Sequence, residues 1–282
     1  MAVFLKPDKV KYWNGLTVNE YFITNHNPNR ISLPVKRRGE YIGITLHNTN
    51  RITVSPETTP AEQYTRATVN GNMNSVRVHF YVDDRCAWQN LPLDYSSWHA
   101  GQKGKADERN GSEKGNGNTI SIECIMSGNG DTADIKARDN AARLIAYLRE
   151  HYGGELYTHN YWCNVRNGKK GTIDELNKLN DGYKGGPIYI RPSWDKFKTL
   201  VDGYMPVRKG DNSLFYVQVG AFKSESLARN YLNEVKRVYP SAFVKADGLY
   251  YVQVGAFRSK SNAEAFLLTV KEQYPSAFIK VM

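Results

Sequence analysis

The sequence predicts a two-part α/β chain. Residues 1–204 read as an α/β domain with a mixed central β-sheet flanked by helices, 205–213 as a linker, and 214–282 as a smaller α+β domain of βαββαβ order. Three observations lead there. In the first part, segments alternating with period 2 are separated by segments with helical period, the pattern of a sheet layered with helices. Turn formers then cluster at Met205-Pro206-Val-Arg-Lys-Gly210-Asp-Asn-Ser213. Beyond them the sequence repeats with a period of 35 residues: Phe215-Tyr-Val-Gln-Val-Gly-Ala-Phe222 returns as Tyr250-Tyr-Val-Gln-Val-Gly-Ala-Phe257, and Tyr239-Pro-Ser-Ala-Phe243 as Tyr274-Pro-Ser-Ala-Phe278.

Taken in order, Val18–Phe22 is expected as a short helix and Asn25–Arg30 as turns. Tyr41-Ile-Gly-Ile-Thr-Leu-His47-Asn48-Thr49 is a buried strand that delivers a histidine to its rim, because Ile42, Ile44 and Leu46 alternate with Gly43 and Thr45. Thr59-Pro60 starts a helix with a capping hydroxyl and proline at the first helical position. Val76–Asp84 is the next strand, closed by an acidic turn, and Trp98-His99-Ala-Gly101 precedes a polar stretch, Gln102–Asn118, expected as a mobile loop rimming the strands. Thr119–Met126 is a third strand, with Ser121, Glu123 and Ile125 sharing one face. Asp134 is expected to cap a helix reaching about His151, striped by Ala141, Leu144, Ile145 and Leu148. A second histidine, His159, closes the short run Leu156-Tyr-Thr-His159, and a polar excursion, Asn164–Tyr183, separates it from a short helix at Pro192–Val201.

Each repeat reads strand, helix, strand, with Ser224 and Ser259 as expected helix caps. One unit cannot bury its own apolar face, so two pair into a four-stranded sheet with both helices on one side. Alternation points Phe215, Val217 and Val219 at the helices and turns Tyr216, Gln218, Tyr251 and Gln253 outward, where rings and amides make a platform suited to sugar.

With 38 Lys and Arg against 28 Asp and Glu, the net charge of +10 favours an anionic partner: nucleic acid, an anionic membrane or a teichoic-acid-bearing wall. No nucleic-acid motif is present, so nucleic acid is not the expected partner. Cys86, Cys124 and Cys163 are irregularly spaced and imply no disulfide framework. The first residues lack an apolar run long enough for a signal peptide, and no later stretch could span a bilayer. The expectation is synthesis in the cytoplasm, no membrane insertion, and release by another agent if the target lies outside.

Two imidazoles on rigid elements, His47 and His159, are the start of a zinc site, and catalytic zinc normally takes three protein ligands plus water. Glu123, inside an otherwise apolar strand, is costly to bury without a task. Five motifs then fall in a familiar order: Gly43-Ile-Thr-Leu-His47-Asn-Thr49, His79-Phe-Tyr-Val-Asp-Asp84, Trp98-His99-Ala-Gly101, Ser121-Ile-Glu123 and Thr158-His159-Asn160. Together they resemble the zinc N-acetylmuramoyl-L-alanine amidases, whose fold is shared with peptidoglycan-recognition proteins. The repeats resemble a SPOR domain, the glycan-binding module of cell-wall hydrolases. The pairing is similar to bacteriophage endolysins and to autolysins of Gram-positive spore formers.

The resemblance implies cleavage of the amide between the lactyl group of N-acetylmuramic acid and L-alanine, in peptidoglycan of a Gram-positive, spore-forming host, with release by a holin or by mother-cell lysis. It implies Zn2+ held by His47 and His159, Glu123 as the base, Lys184 as the oxyanion stabiliser, and glycan binding by Tyr216, Gln218, Tyr251 and Gln253. The family's third ligand lies in a K-x-[CD]-P motif, which here falls on Lys184-Gly185-Gly186-Pro187 and leaves Gly186, without a side chain, at the ligand position. Three readings stay open: Cys163 replaces the ligand, two histidines and extra water hold the metal weakly, or the ligand is lost. His79 and His99 are expected to shape the site. The alternative to an enzyme is a non-catalytic peptidoglycan-binding protein that keeps the fold.

Overall fold

The computed structural model describes residues 4–100, 113–180, 186–205, 214–257 and 260–281. The chain divides into two compact units, Met1–Val201 and Asp202–Met282.

The first unit is built on a seven-stranded mixed sheet of β1 (Lys9–Trp13), β2 (Leu16–Glu20), β3 (Gly43–Asn50), β4 (Phe80–Val82), β5 (Ala87–Gln89), β6 (Thr119–Met126) and β7 (Glu155–Thr158), ordered β1-β2-β5-β4-β6-β3-β7. β3 lies parallel between β6 and β7, and β4 is parallel to β6. Ile44, Leu46, Ile120 and Ile122 are essentially inaccessible, as strands covered on both faces require. Helix α1 (Pro60–Val69) begins as expected, with Thr59 Oγ1 accepting from the Glu62 amide. Helix α2 (Glu113–Asn118) leads directly into β6. Helix α3 (Thr132–Tyr152) covers one face of the sheet: Ala137, Ala141, Leu144, Ile145 and Leu148 are buried, and the Cys124 thiol donates to the Ala137 carbonyl at 3.5 Å. By alternation, Thr45 and His47 of β3 and Ser121 and Glu123 of β6 point to the other face. There, the N-terminal turn of α4 (His159–Arg166) rests on β3 through the Trp162 Nε1–H bond to Thr45 Oγ1 at 2.9 Å.

Several expectations are corrected. Val18–Phe22 is not helical; β2 pairs with β1 across Asn14-Gly15, whose φ values of 48° and 79° suit a two-residue hairpin turn. The cap of α3 is Asp131, which accepts from the Asp134 amide, whereas the Asp134 carboxylate accepts from the Ser127 and Gly130 amides. The strand expected over Val76–Asp84 is regular only at Phe80–Val82, and part of the expected loop, Glu113–Asn118, is helical. His159 opens a helix instead of ending a strand, and the polar excursion holds α5 (Ile173–Lys178), started by a Thr172–Glu175 capping box. Helix α6 (Trp194–Tyr204) buries Trp194, Phe197 and Val201. The rest of the expected rim loop lies outside the described residues.

The second unit is an antiparallel sheet of β8 (Phe215–Phe222), β9 (Phe243–Asp247), β10 (Leu249–Phe257) and β11 (Phe278–Val281), ordered β11-β8-β10-β9. Helices α7 (Glu225–Val235) and α8 (Lys260–Lys271) share one core with Val217, Val219, Val252 and Val254, through Ala228, Leu232, Val235, Ala263 and Val270. Ser224 stands at the N-cap of α7, but its hydroxyl meets Ser226 Oγ at 2.7 Å instead of the helix backbone. Ser259 lies outside the described residues.

Candidate active site and the open sheet face

The site forms where β3 and β6 run side by side. Their parallel register sets His47 opposite Glu123, and His47 Nδ1 lies 3.9 Å from Glu123 Oε1. His159 arrives from the neighbouring strand. Gly43 makes that approach possible: its φ is +152°, and a Cβ there would sit 2.0 Å from the Glu155 carbonyl oxygen, so any side chain would force β7 away from β3. β7 ends at Thr158, whose hydroxyl caps α4 by accepting from the Tyr161 amide at 2.9 Å and whose own amide donates to Asn177 Oδ1 at 2.7 Å. His159 is thus the first residue of a capped helix, and its Nδ1 lies 2.9 Å from His47 Nδ1.

Two imidazole nitrogens that close are compatible with one shared proton or one shared cation. Nδ1 of both rings are donors of the kind that suits zinc. The family motif expected to supply a third ligand falls on Gly186. Its carbonyl accepts from the Asn160 amide at 2.9 Å, which seats it beside the start of α4. Among the described residues, a Cβ built on Gly186 would meet only His159 Cβ, at 3.8 Å, which leaves room there for a side chain. Cys163 is fully buried and accepts from Arg166 Nη2 at 3.0 Å. Among the described residues, no group of three His, Cys, Asp or Glu side chains is placed to hold a metal, so Cys163 does not join the two histidines in a three-donor set. The residues present therefore fit zinc at two protein positions. Lys184 lies outside the described residues.

Behind His47 is a run of buried polar groups that sequence reasoning did not assemble. His47 Nε2 is 2.7 Å from His99 Nδ1, His99 Nε2 is 3.0 Å from the Gly115 carbonyl, and the Thr119 hydroxyl also donates to that carbonyl. Thr119 Oγ1 meets Thr45 Oγ1 at 2.8 Å. The only sequence sign is parity: Thr45 shares a face with His47, and Thr119 with Glu123. Burial pushes the His99 imidazole down to about 3, so it is neutral. His79 is likewise pushed down to about 3 by burial; its Nδ1 accepts from the Ser121 amide at 3.1 Å, and its Nε2 faces the Tyr95 carbonyl. His79 thus packs against β6 through Ser121, and His99 lies behind His47.

On the second unit, the register aligns Phe278, Gln218, Gln253 and Phe243 in one row across the four strands. Phe243 and Phe278 are exposed, but the two glutamines are fully buried, not open to solvent as alternation alone suggests. The reason is long lysines reaching diagonally over the row. Lys245 of β9 places Nζ 4.1 Å from the Tyr216 ring of β8, and Lys280 of β11 places Nζ 3.8 Å from the Tyr251 ring of β10. Lys280 also pairs with Asp247 at 2.8 Å. Among the described residues, neither amide atom of the Gln218 side chain has a hydrogen-bond partner.

An α/β domain offering paired imidazoles and a carboxylate, followed by a repeat-built sheet with an aromatic and cationic face, defines a candidate hydrolase joined to a candidate binding module. Residues 38–174 match the N-acetylmuramoyl-L-alanine amidase family and residues 211–280 match the SPOR domain, so the chain carries an amidase domain followed by a SPOR domain. It is 29% identical over 205 residues to N-acetylmuramoyl-L-alanine amidase CwlH of Bacillus subtilis (strain 168), spanning 71% of this chain and 75% of that protein. It is 30% identical over 163 residues to N-acetylmuramoyl-L-alanine amidase XlyA of the same strain, spanning 57% of this chain and 44% of that one. The solved catalytic domain of XlyA aligns over 65% of this chain and 98% of its own length, with 26% identity and a TM-score of 0.44.

Proposed function

We propose that the chain is a peptidoglycan hydrolase that cleaves the amide between N-acetylmuramic acid and L-alanine, brought to glycan by its SPOR domain. The observation that carries this reading is the convergence of His47 and Glu123, at matched positions of parallel strands, with His159, the first residue of α4. His47 and His159 would hold zinc through Nδ1, and when bound the metal supplies a Lewis acid for water and the scissile carbonyl. Glu123 accepts the proton of the attacking water and delivers it to the leaving alanine nitrogen, so one carboxylate serves both halves of the reaction. Lys184, by the family pattern, steadies the oxyanion.

The open sheet face supports glycan recognition. Tyr251, Phe243 and Phe278 give rings for sugar faces and Lys245 and Lys280 suit an anionic glycan, whereas Tyr216, Gln218 and Gln253 are buried, so any part they take needs the lysines to move aside. Bacillus relatives and the net charge of +10 support a Gram-positive wall as target, and a spore-forming host fits the same relatives. Among the described residues no helix is long and apolar enough to cross a membrane.

A second reading, a wall-binding protein without catalysis, is favoured by the missing side chain at Gly186. Turnover of a soluble muramyl peptide separates the two. The enzyme reading expects peptide with a free L-alanine amino terminus, lost on chelation and restored by zinc. Sacculus binding with no cleavage at any zinc concentration would favour the second reading.

A further inference from the structure

We infer that His99 is a positioning residue that locks His47 in the tautomer with its proton on Nε2, leaving the Nδ1 lone pair facing His159 and Glu123. Donor and acceptor counting leads there. The Gly115 carbonyl can only accept, so His99 Nε2, 3.0 Å away, carries the hydrogen and donates. A neutral imidazole has one N–H, so His99 Nδ1 is a bare acceptor. His47 Nε2, 2.7 Å from it, must then be the donor. The proton of His47 is thereby assigned to Nε2, and its Nδ1 is the acceptor that faces His159 Nδ1 at 2.9 Å. A metal-bound histidine gains orientation and basicity from such a partner on its second nitrogen, usually a carboxylate or carbonyl. Here another histidine takes that place.

The lock is itself anchored. The amides of His99 and Ala100 both donate to Asn116 Oδ1 at 2.8 Å, and Asn116 belongs to the helix that feeds β6. One short helix therefore sets His99, and through it His47, in register with Glu123. The consequence for zinc affinity rests on the reading of His47 as a ligand; the tautomer does not, since it belongs to the metal-free protein.

Long-range 15N–1H spectra of the full-length, metal-free protein labelled at histidine read the tautomer directly. The expected spectrum shows His47 protonated at Nε2 and bare at Nδ1. His99→Asn keeps an acceptor near the Nδ1 position and should keep that tautomer, with zinc affinity close to the parent. His99→Leu keeps the bulk and removes the acceptor, while the Gly115 carbonyl still accepts from Thr119. It should give mixed His47 tautomers and zinc binding weaker by about 10- to 100-fold, the usual scale for losing such a partner. A His47 proton on Nδ1 in the parent or in His99→Asn would overturn the inference, and so would an unchanged tautomer and affinity in His99→Leu. If His99→Leu does not fold, the other two spectra decide. The predicted tautomer in a protein that cleaves no muramyl peptide would refute the amidase reading and leave this one standing.

Discussion

Replacing Gly186 by cysteine is the change whose effect the geometry specifies best. Among the described residues a Cβ at this position meets only His159 Cβ, at 3.8 Å, an ordinary van der Waals contact. The backbone is already held by the Asn160 amide bond to the Gly186 carbonyl and is outside the left-handed region, so a residue other than glycine is not strained there. The thiolate would complete a His, His, Cys set with an open position for water. Structural zinc sites with four ligands bind with roughly 10–16 kcal/mol, or about 3 kcal/mol per ligand. At about 1.4 kcal/mol per factor of ten, Gly186→Cys should tighten zinc binding by about 100-fold. Because the thiol must lose its proton to ligate, the gain should grow as pH rises toward the thiol range. Competition against a chelator of known affinity measures the effect, with muramyl-peptide turnover rising in parallel at limiting zinc. Unchanged affinity in a folded variant at high pH would mean that position 186 does not face the metal.

Three further outcomes are expected. Glu123→Gln should keep the fold and zinc binding but lower amide cleavage by about 100-fold or more, the scale of a lost general base; near-parent turnover by rapid quench would remove Glu123 from the chemistry. Lys245→Ala with Lys280→Ala should weaken co-sedimentation with sacculi while leaving turnover of a small soluble muramyl peptide unchanged, and equal pelleting would exclude the lysine-crossed face from binding. His79, held down at about 3 against an ordinary 6.5, is protonated more readily in the unfolded chain, so its share of stability is present above about 6.5 and is lost as pH falls from there toward 3. Urea titrations should show a shallower loss over that range for His79→Gln, and parallel curves would contradict the assignment.

Residues whose role depends on local periodicity were visible before the fold was known. His47 and Glu123 sit on period-2 strands with their faces readable from alternation, and the 35-residue repeat announces the second sheet. Features that depend on pairing between strands are not legible in this way. The Thr45–Thr119–Gly115–His99 run exists only because β3 and β6 are parallel in one register, with partners up to 74 residues apart. The buried state of Gln218 and Gln253 depends on lysines from the two edge strands, which alternation within one strand cannot show. Asp131 and Asp134 are both good caps three residues apart, and the choice is made by Asp134 accepting from the Ser127 and Gly130 amides. At Val18–Phe22 the Asn14-Gly15 turn, which favours a hairpin on local grounds, outweighs the helical pattern.

The central claim is the identity of the bond cleaved. Purified Gram-positive sacculi digested with the full-length protein and zinc, then resolved by mass spectrometry, test it most directly. The account predicts stem peptides bearing a free L-alanine amino terminus and glycan strands carrying a free lactyl carboxylate, with no new reducing ends. New reducing ends, or peptides cut at any other bond while the lactyl–alanine amide stays intact, would contradict it.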